Sequence, residues 1–278
     1  MTSLVPSPKR ILLVEHDAEL QDILRTLLSD EGYAVISASS LGEALTLLGE
    51  QSFHMVLTDL FRGLGFDAFE EVEPLRQMAD PTPVALMTAW DLTEEMVKQR
   101  GFSCLIPKPF DIDRLLGMVA ICLAAPFTPE QERHIPIIKR FLIAQEQKDI
   151  ETSLALCVDD IRYYPPTRRP AYAPYAEREA VSGKTALRAT LEQTFRAYPD
   201  GTLGELLFYP LPKGISVRYL WRWTSPEGKQ RHFTGGLLFY FAGGLLSQIS
   251  ISIHSPETLS PPLQTDRPDL SSSYNSAF

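Results

Sequence analysis

The sequence predicts two domains in series: a doubly wound α/β domain built on a five-stranded parallel sheet, followed by an α+β domain. A chain of 278 residues suits about two domains of the usual ~100–200 residues. The first part alternates short apolar runs with segments of helical spacing, whereas the later part groups helices before strands. Both patterns predict packed, soluble domains.

Charge separates the same two parts. Residues 1–126 contain 9 basic and 19 acidic residues, a net charge of −10, and the remainder contains 17 and 16, a net charge of +1. This shift supports a boundary near Pro126. Neither part is strongly basic, which argues against a nucleic-acid-binding surface.

Five βα units account for the first part. The predicted strands lie at residues 11–14, 34–37, 55–58, 84–87 and 104–106. The predicted helices lie at residues 20–28, 41–48, 69–78, 93–100 and 112–123. Such repeated units predict an open parallel sheet whose ligand site lies beyond the carboxyl ends of its strands.

Polar side chains follow those strand ends. Glu15 and His16 follow the first strand, Asp59 the third, Thr88 the fourth and Lys108 the fifth. Phosphoryl transfer to a carboxylate needs an aspartate nucleophile, a cation for the phosphoryl oxygens and fixed hydrogen-bond donors. The set therefore predicts an aspartyl-phosphate site.

Four short motifs carry a resemblance to a known family. They are ILLVEHD at 11–17, LTDL at 57–60, MTA at 87–89 and PKPF at 107–110. Through them residues 9–124 resemble the receiver domain of two-component response regulators. The resemblance implies that Asp59 accepts the phosphoryl group, Lys108 contacts it and Thr88 hydrogen-bonds it. It also implies a cis Lys108–Pro109 bond.

The resemblance further implies a metal site for Mg²⁺, or Mn²⁺, formed by Glu15, His16, Asp59 and the backbone carbonyl of Phe61. His16 stands where the family has a carboxylate, and a neutral imidazole suits softer divalent metals better than Mg²⁺. Asp17 is a substitute ligand only if its side chain rotates. Leu105 replaces the family's switch aromatic, and residues 60–66 lack its usual proline. A pseudo-receiver without phosphotransfer is therefore an alternative.

The second part follows a predicted linker at residues 125–129. Its predicted helices are at residues 135–145, 152–157 and 184–198, with strands at 161–164, 203–209, 215–223, 230–241 and 245–253. Through the segment 195–200, the aromatic strand ending at Trp223 and the glycine-rich segment 235–244, residues 130–256 resemble the SnoaL-like, NTF2-like cone. Residues 257–278, rich in Ser and Pro, are predicted to be disordered.

Aromatic residues in this domain have two interpretations. Tyr219, Trp221 and Trp223 share a strand face and, with His232, are candidates to bind a flat apolar ligand. Alternatively the same aromatics, with Phe239 and Phe241, form core or a homodimer surface. If the cone is an isomerase or cyclase, as several relatives of the resembled family are, its acid/base candidates are His232, His254, Asp159 and Asp160.

These features predict a cytoplasmic response regulator. A sensor histidine kinase or phosphotransfer protein would phosphorylate Asp59, and the second domain would act by homodimerisation or ligand binding. The alternatives are a SnoaL-like enzyme whose activity is gated by the receiver, and a pseudo-receiver scaffold. If the chain is a response regulator, we expect no enzymatic activity beyond autophosphorylation on Asp59. We expect no direct DNA binding, since no helix-turn-helix pattern follows the linker, and no membrane span.

Cys104, Cys122 and Cys157 are predicted to be buried thiols, in keeping with a reducing compartment.

Overall fold

The structure is a computed structural model that describes residues 7–60, 68–108, 112–123, 125–166, 179–225 and 227–253. It forms two compact units that divide mainly between Pro126 and Phe127, with residues 210–213 grouped with the first unit. Within the described ranges, no helix has both the length and the apolar character needed to cross a membrane. The cis Lys108–Pro109 bond, His254 and the tail at 257–278 lie outside these ranges.

The first unit is a parallel sheet with the strand order β2-β1-β3-β4-β5. Its strands are β1 Arg10–Val14, β2 Ala34–Ala38, β3 Met55–Asp59, β4 Val84–Thr88 and β5 Cys104–Pro107. Its helices are α1 Ala18–Glu31, α2 Leu41–Glu50, α3 Ala68–Ala79, α4 Glu94–Gln99 and α5 Ile112–Leu123. The predicted doubly wound α/β class is confirmed.

Local sequence explains where these elements begin and end. The Asp17 carboxylate caps α1 by accepting hydrogen bonds from the Glu19 and Leu20 amides, and Gly32 ends the helix with a positive φ. All five residues of β3 and all five of β4 are buried, as expected for central strands covered on both faces. The carboxyl ends of β1 and β3 are adjacent because the chain order reverses there.

The cysteine prediction is wrong for two of three residues. Cys104, in β5, and Cys122, near the end of α5, are joined by a disulfide with a Cα–Cα distance of 6.4 Å. Cys157 is a buried free thiol, as predicted. Residues 18 positions apart were brought together by the packing of α5 on the sheet, which the apolar pattern of each segment alone does not reveal.

The second unit has helices followed by a six-stranded sheet of order β7-β6-β11-β10-β9-β8. Its helices are α6 Pro129–Glu146, α7 Ile150–Ala155 and α8 Lys184–Ala197. Its strands are β6 Cys157–Tyr164, β7 Val181–Ser182, β8 Thr202–Pro210, β9 Gly214–Thr224, β10 Gln230–Ala242 and β11 Leu245–Ile253. The predicted α+β class is confirmed.

The sheet of the second unit is mixed, with both antiparallel and parallel strand pairs. Hairpin connections make β10 antiparallel to both β9 and β11. The final strand β11, however, pairs in parallel with β6. No hairpin joins these two strands, so their relative direction is set by the path through α8 and the intervening strands.

The aromatic run on β9 and β10 belongs to the core of the second unit. Tyr219 is 5% exposed and Phe239 has no exposed surface, and Trp221 and Phe241 pack against the same cluster. Phe141 of α6 meets Phe239 edge to face, with 6.1 Å between ring centroids. The core interpretation therefore holds for Tyr219 and Phe239, whereas Trp221, Trp223 and Phe241 are only partly buried.

We predict that Phe239→Ala lowers the free energy of unfolding of the second unit by about 3–5 kcal/mol, because it leaves a cavity in a fully buried site. Leu207→Ala is the matched control, since Leu207 is 37% exposed and should cost under about 1 kcal/mol. Urea denaturation followed by circular dichroism measures both. Equal losses for the two variants would contradict the core assignment.

Candidate functional site

Four strand ends of the first unit bring the predicted site residues together. Asp59 ends β3, Thr88 ends β4, and Glu15 and Lys108 follow β1 and β5. The ladder aligns them, since Asp59 pairs with Met87 and Thr88 with Pro107. Glu15, Asp59 and Thr88 are buried, although each is polar.

Lys108 neutralises the two carboxylates. Its Nζ lies 2.9 Å from Glu15 Oε2 and 3.0 Å from Asp59 Oδ2. Its own amide donates to the Thr88 carbonyl at 2.6 Å, which fixes the backbone from which the side chain extends. Burial works against the ammonium charge, but the hydrogen bond to Glu15 and the attraction of Asp59 outweigh it and raise the pKa of Lys108.

The environment of Asp59 disfavours its charge. Burial raises the pKa of the Asp59 carboxyl and outweighs the opposing effect of the Lys108 ammonium, with Glu15 adding repulsion. A buried carboxylate beside a lysine ammonium can act as a nucleophile. The geometry thus supports the predicted role of Asp59 as acceptor.

A cluster of possible metal ligands adjoins this ion pair. Glu15, His16 and Asp59 each offer a ligand atom, all within 4.8 Å of one another. His16 Nδ1 lies 3.1 Å from Glu15 Oε1 and 3.6 Å from Asp59 Oδ2, and its side chain is largely exposed. Asp17 is not a substitute ligand here, because its carboxylate caps α1. Phe61, the predicted fourth contributor, lies outside the described residues.

Thr88 has a partner that the sequence interpretation missed. Its Oγ1 accepts a hydrogen bond of 3.1 Å from the Trp90 amide. The Trp90 side chain is 43% exposed, which is unusual for an indole two residues from a buried site. Leu105, at the position of the family's switch aromatic, is buried in the core of the first unit. The one available signal for Trp90 was an aromatic residue directly after the MTA motif.

The ligand site predicted for the second unit is only partly assembled. Phe233 links Tyr219 to Trp223, with ring centroids 6.1 Å and 5.5 Å away. His232 does not join them, because it pairs with Arg222 and therefore lies on the opposite sheet face, exposed. Including His232 in that site was wrong, because strand alternation places residues 232 and 233 on different faces.

The acid/base candidates of the second unit also lie apart from the aromatic cluster. Asp159 is exposed and pairs with Lys184 at 2.9 Å. Asp160 is likewise exposed. Two buried tyrosines, Tyr163 and Tyr219, were not considered as a pair. Burial raises the pKa of both phenols, and the proximity of Tyr163 adds to the rise at Tyr219.

Comparison with known proteins agrees with the first unit. Residues 11–120 match the family model of the response regulator receiver domain. Together with the parallel sheet and the Glu15–Asp59–Lys108 site, this match identifies residues 11–120 as a receiver domain of that family. The relatives are response regulators: "Response regulator MprA" of Mycolicibacterium vanbaalenii is 33% identical over 118 residues, covering 42% of this chain and 51% of that protein. The chain thus spans about half the length of the curated relatives it matches.

Solved structures resemble each unit separately. Chemotaxis protein CheY4 of Vibrio cholerae is 24% identical, with a TM-score of 0.37, and covers 41% of this chain and 98% of that one. An NTF2-like protein of unknown function from Burkholderia pseudomallei is 17% identical, with a TM-score of 0.39, and covers 45% of this chain and 93% of that one. At these TM-scores neither likeness carries an argument about activity.

We predict that Asp59→Asn stabilises the first unit at pH 7 by on the order of 1 kcal/mol, as is common when a functional site is relieved of an unfavourable charge. Because the pKa of Asp59 is raised in the folded state, its ionised form costs stability above that pKa. The substitution leaves Lys108 paired with Glu15.

Thermal unfolding of the full chain measures the effect. The advantage should shrink as the pH falls through the raised pKa of Asp59 and vanish below the ordinary Asp value of 3.8, where the carboxyl is protonated in both states. Asp22→Asn is the control, since Asp22 is exposed and pairs only with Arg25 in the same helix. A lower melting temperature for Asp59→Asn at pH 7 would contradict this account.

Proposed function

We propose that the chain is a response regulator whose Asp59 accepts a phosphoryl group from a sensor histidine kinase or phosphotransfer protein. The contact of Lys108 Nζ with Asp59 at 3.0 Å carries the proposal, because it places the needed cation beside the nucleophile. An Asp59 carboxylate oxygen bonds to phosphorus while the bond from phosphorus to the donor breaks. Lys108 then turns from the carboxylates to the new phosphoryl oxygens.

The residues at this site fit a divalent metal. Glu15, His16 and Asp59 supply two carboxylates and one imidazole, a mixed set that suits Mn²⁺ better than Mg²⁺. When bound, such an ion supplies positive charge against the phosphoryl oxygens. The carbonyl of Phe61 would complete the set, as the resemblance implies.

Thr88 connects phosphorylation to the protein surface. We infer that its hydroxyl rotates to donate to a phosphoryl oxygen on Asp59. This rotation removes the acceptor that now holds the Trp90 amide. The exposed indole of Trp90 would then change its surroundings, which transmits the chemical event to the segment preceding α4.

Acetyl phosphate with a divalent metal should raise the intact mass of the chain by one phosphoryl group, and Asp59→Ala should abolish the gain. Asp91→Ala, which alters another residue of the same unit outside the ion-pair site, should retain labelling. Labelling that persists in Asp59→Ala would refute the assignment of the acceptor. Absence of labelling with both Mg²⁺ and Mn²⁺ would favour the pseudo-receiver.

His16→Asp should increase Mg²⁺ affinity by about tenfold or more, since a hard cation gains an anionic oxygen ligand in place of an imidazole. The wild type should favour Mn²⁺ over Mg²⁺ more strongly than the variant does. Calorimetric titration with each metal compares them, and His54→Asp, on another loop, controls for added charge. Equal Mg²⁺ affinity in wild type and His16→Asp would show that His16 does not contact the metal.

For the second unit we propose the binding of a flat, apolar ligand that carries a hydrogen-bond-accepting oxygen. Tyr163 and Tyr219 support this proposal, since both are buried on the core side of the sheet and each carries a phenol that can donate a hydrogen bond. A phenol offers an apolar ring and one O–H donor, which suits a ligand that combines a flat apolar body with an oxygen acceptor. Gly235 gives Tyr219 its room, because a Cβ there would meet the phenol oxygen at 2.5 Å.

We expect 2-naphthol to raise the melting temperature of the second unit more than naphthalene does, because only 2-naphthol offers an oxygen acceptor to the phenols. Replacing both tyrosines, Tyr163→Phe and Tyr219→Phe, should remove the difference. Tyr240→Phe, on the opposite sheet face, should not. Equal shifts from both compounds in the wild type would count against the proposed hydrogen bonds.

Several further expectations for this chain remain predictions. A homodimer through the second unit stays a prediction, and the buried aromatics no longer support it. A cytoplasmic location, the lack of direct DNA binding and the absence of enzymatic activity beyond autophosphorylation also stay predictions. The receiver-gated enzyme is not favoured by any described acid/base residue beside Tyr219.

A further inference from the structure

The disulfide Cys104–Cys122 has no role in the functions proposed above. It joins β5 to the end of α5, the last helix of the receiver domain. We propose that this cysteine pair is a reversible thiol–disulfide exchange site through which small disulfides and thiols modulate the receiver. The 6.4 Å between the two Cα atoms is within the range that disulfides span.

The fold does not depend on this bond. Helix α5 buries an apolar face that holds it on the domain without a crosslink: Ile112, Leu115, Leu116, Val119 and Ala120. Strand β5 pairs along its whole length with β4. Domains that require disulfides are ordinarily too small to build a core, which is not the case here. The two thiols therefore remain neighbours after reduction, as a reversible pair requires.

The two sulfurs differ in access. Cys122 is partly exposed, whereas Cys104 is buried, so an incoming thiolate reaches Cys122 first. The third cysteine, Cys157, has no exposed surface, and burial raises the pKa of its thiol to about 12. Exchange is therefore expected to begin at Cys122. Cys157 serves as an internal control for a buried thiol that does not exchange.

The exchange balances with a small thiol as the reductant. Its thiolate bonds to Cys122 Sγ, the protein disulfide breaks, and Cys104 leaves as a thiolate that takes up a proton. A second small thiolate then bonds to the sulfur of the first small thiol, the mixed disulfide breaks, and Cys122 leaves as a thiolate that takes up a proton. The products are two protein thiols and one small disulfide, and oxidation by a small disulfide is the reverse.

The position of the bond links it to the phosphoacceptor site. Cys104 begins the strand that leads to Lys108, and the Lys108 amide donates to the Thr88 carbonyl. The bond occurs together with the arrangement in which Lys108 contacts both carboxylates and Thr88 accepts from Trp90. By fixing the start of β5 against α5, the bond restricts movement of the strand that leads to Lys108, and we expect it to disfavour the arrangement that a phosphoryl group requires. This coupling rests on the proposed function, whereas the exchange itself does not.

The first experiment equilibrates the full chain in glutathione buffers from fully reduced to fully oxidised, then alkylates free thiols and measures intact mass. We expect a graded change from three alkylated cysteines to one after unfolding. Beryllofluoride, a phosphoryl mimic, should bind the oxidised chain about fivefold more weakly than the reduced chain in calorimetry with Mn²⁺. Reciprocity requires beryllofluoride to favour reduction of the pair by the same factor.

Two variants separate the outcomes. The double variant Cys104→Ser, Cys122→Ser should bind beryllofluoride like the reduced chain in every buffer, and Cys157→Ser should keep the wild-type redox response. A bond that survives excess dithiothreitol in the folded chain, or thiols that never pair in oxidised glutathione, would overturn the exchange. Equal beryllofluoride affinity in both redox states would overturn the coupling. Failure to bind beryllofluoride in either redox state would contradict the phosphoacceptor proposal. In that case the mass titration would still test whether the cysteine pair exchanges with small thiols.

Discussion

The contact of the Lys108 ammonium with both Glu15 and Asp59 is the interaction on which the receiver site depends. Two carboxylates buried side by side repel each other, and each loses hydration that the interior does not replace. A cation between them makes their burial tolerable. The cation must come from β5 and the carboxylates from β1 and β3, so the site exists only when three strands are correctly ordered. The strand order of the sheet is therefore a requirement for the site.

Much of this domain could be predicted from sequence because the sheet converts chain order into position. Four of the five apolar runs end at, or are directly followed by, a residue of the site, and parallel strands bring those ends to one edge. What sequence could not give was the partner of each side chain. Lys108 meets Glu15 as well as Asp59, and Thr88 holds the Trp90 amide. These contacts depend on rotamers and loop paths, which no spacing rule encodes.

The second unit shows a different limit. Alternation along β9 and β10 correctly predicts which residues share a face, yet it does not say which face the helices cover. From the sequence alone, Phe239 suits a dimer surface and a core equally well. The ring contact with Phe141 of α6 assigns it to the core. The same alternation, applied strictly, would have excluded His232 from the group containing Tyr219. The disulfide was missed for a related reason, since the rotation of α5 on the sheet decides whether Cys122 faces β5.

The departures of this receiver concentrate on one side of its site. The nucleophile, the lysine and the threonine keep their places, whereas the metal side has His16 where an anionic oxygen is usual. Leu105 fills core space instead of offering an aromatic switch, while an exposed aromatic, Trp90, lies next to Thr88. The differences from the resembled pattern thus lie around the possible metal ligands and the β4–α4 connection, whereas the contact of Lys108 with Asp59 is present.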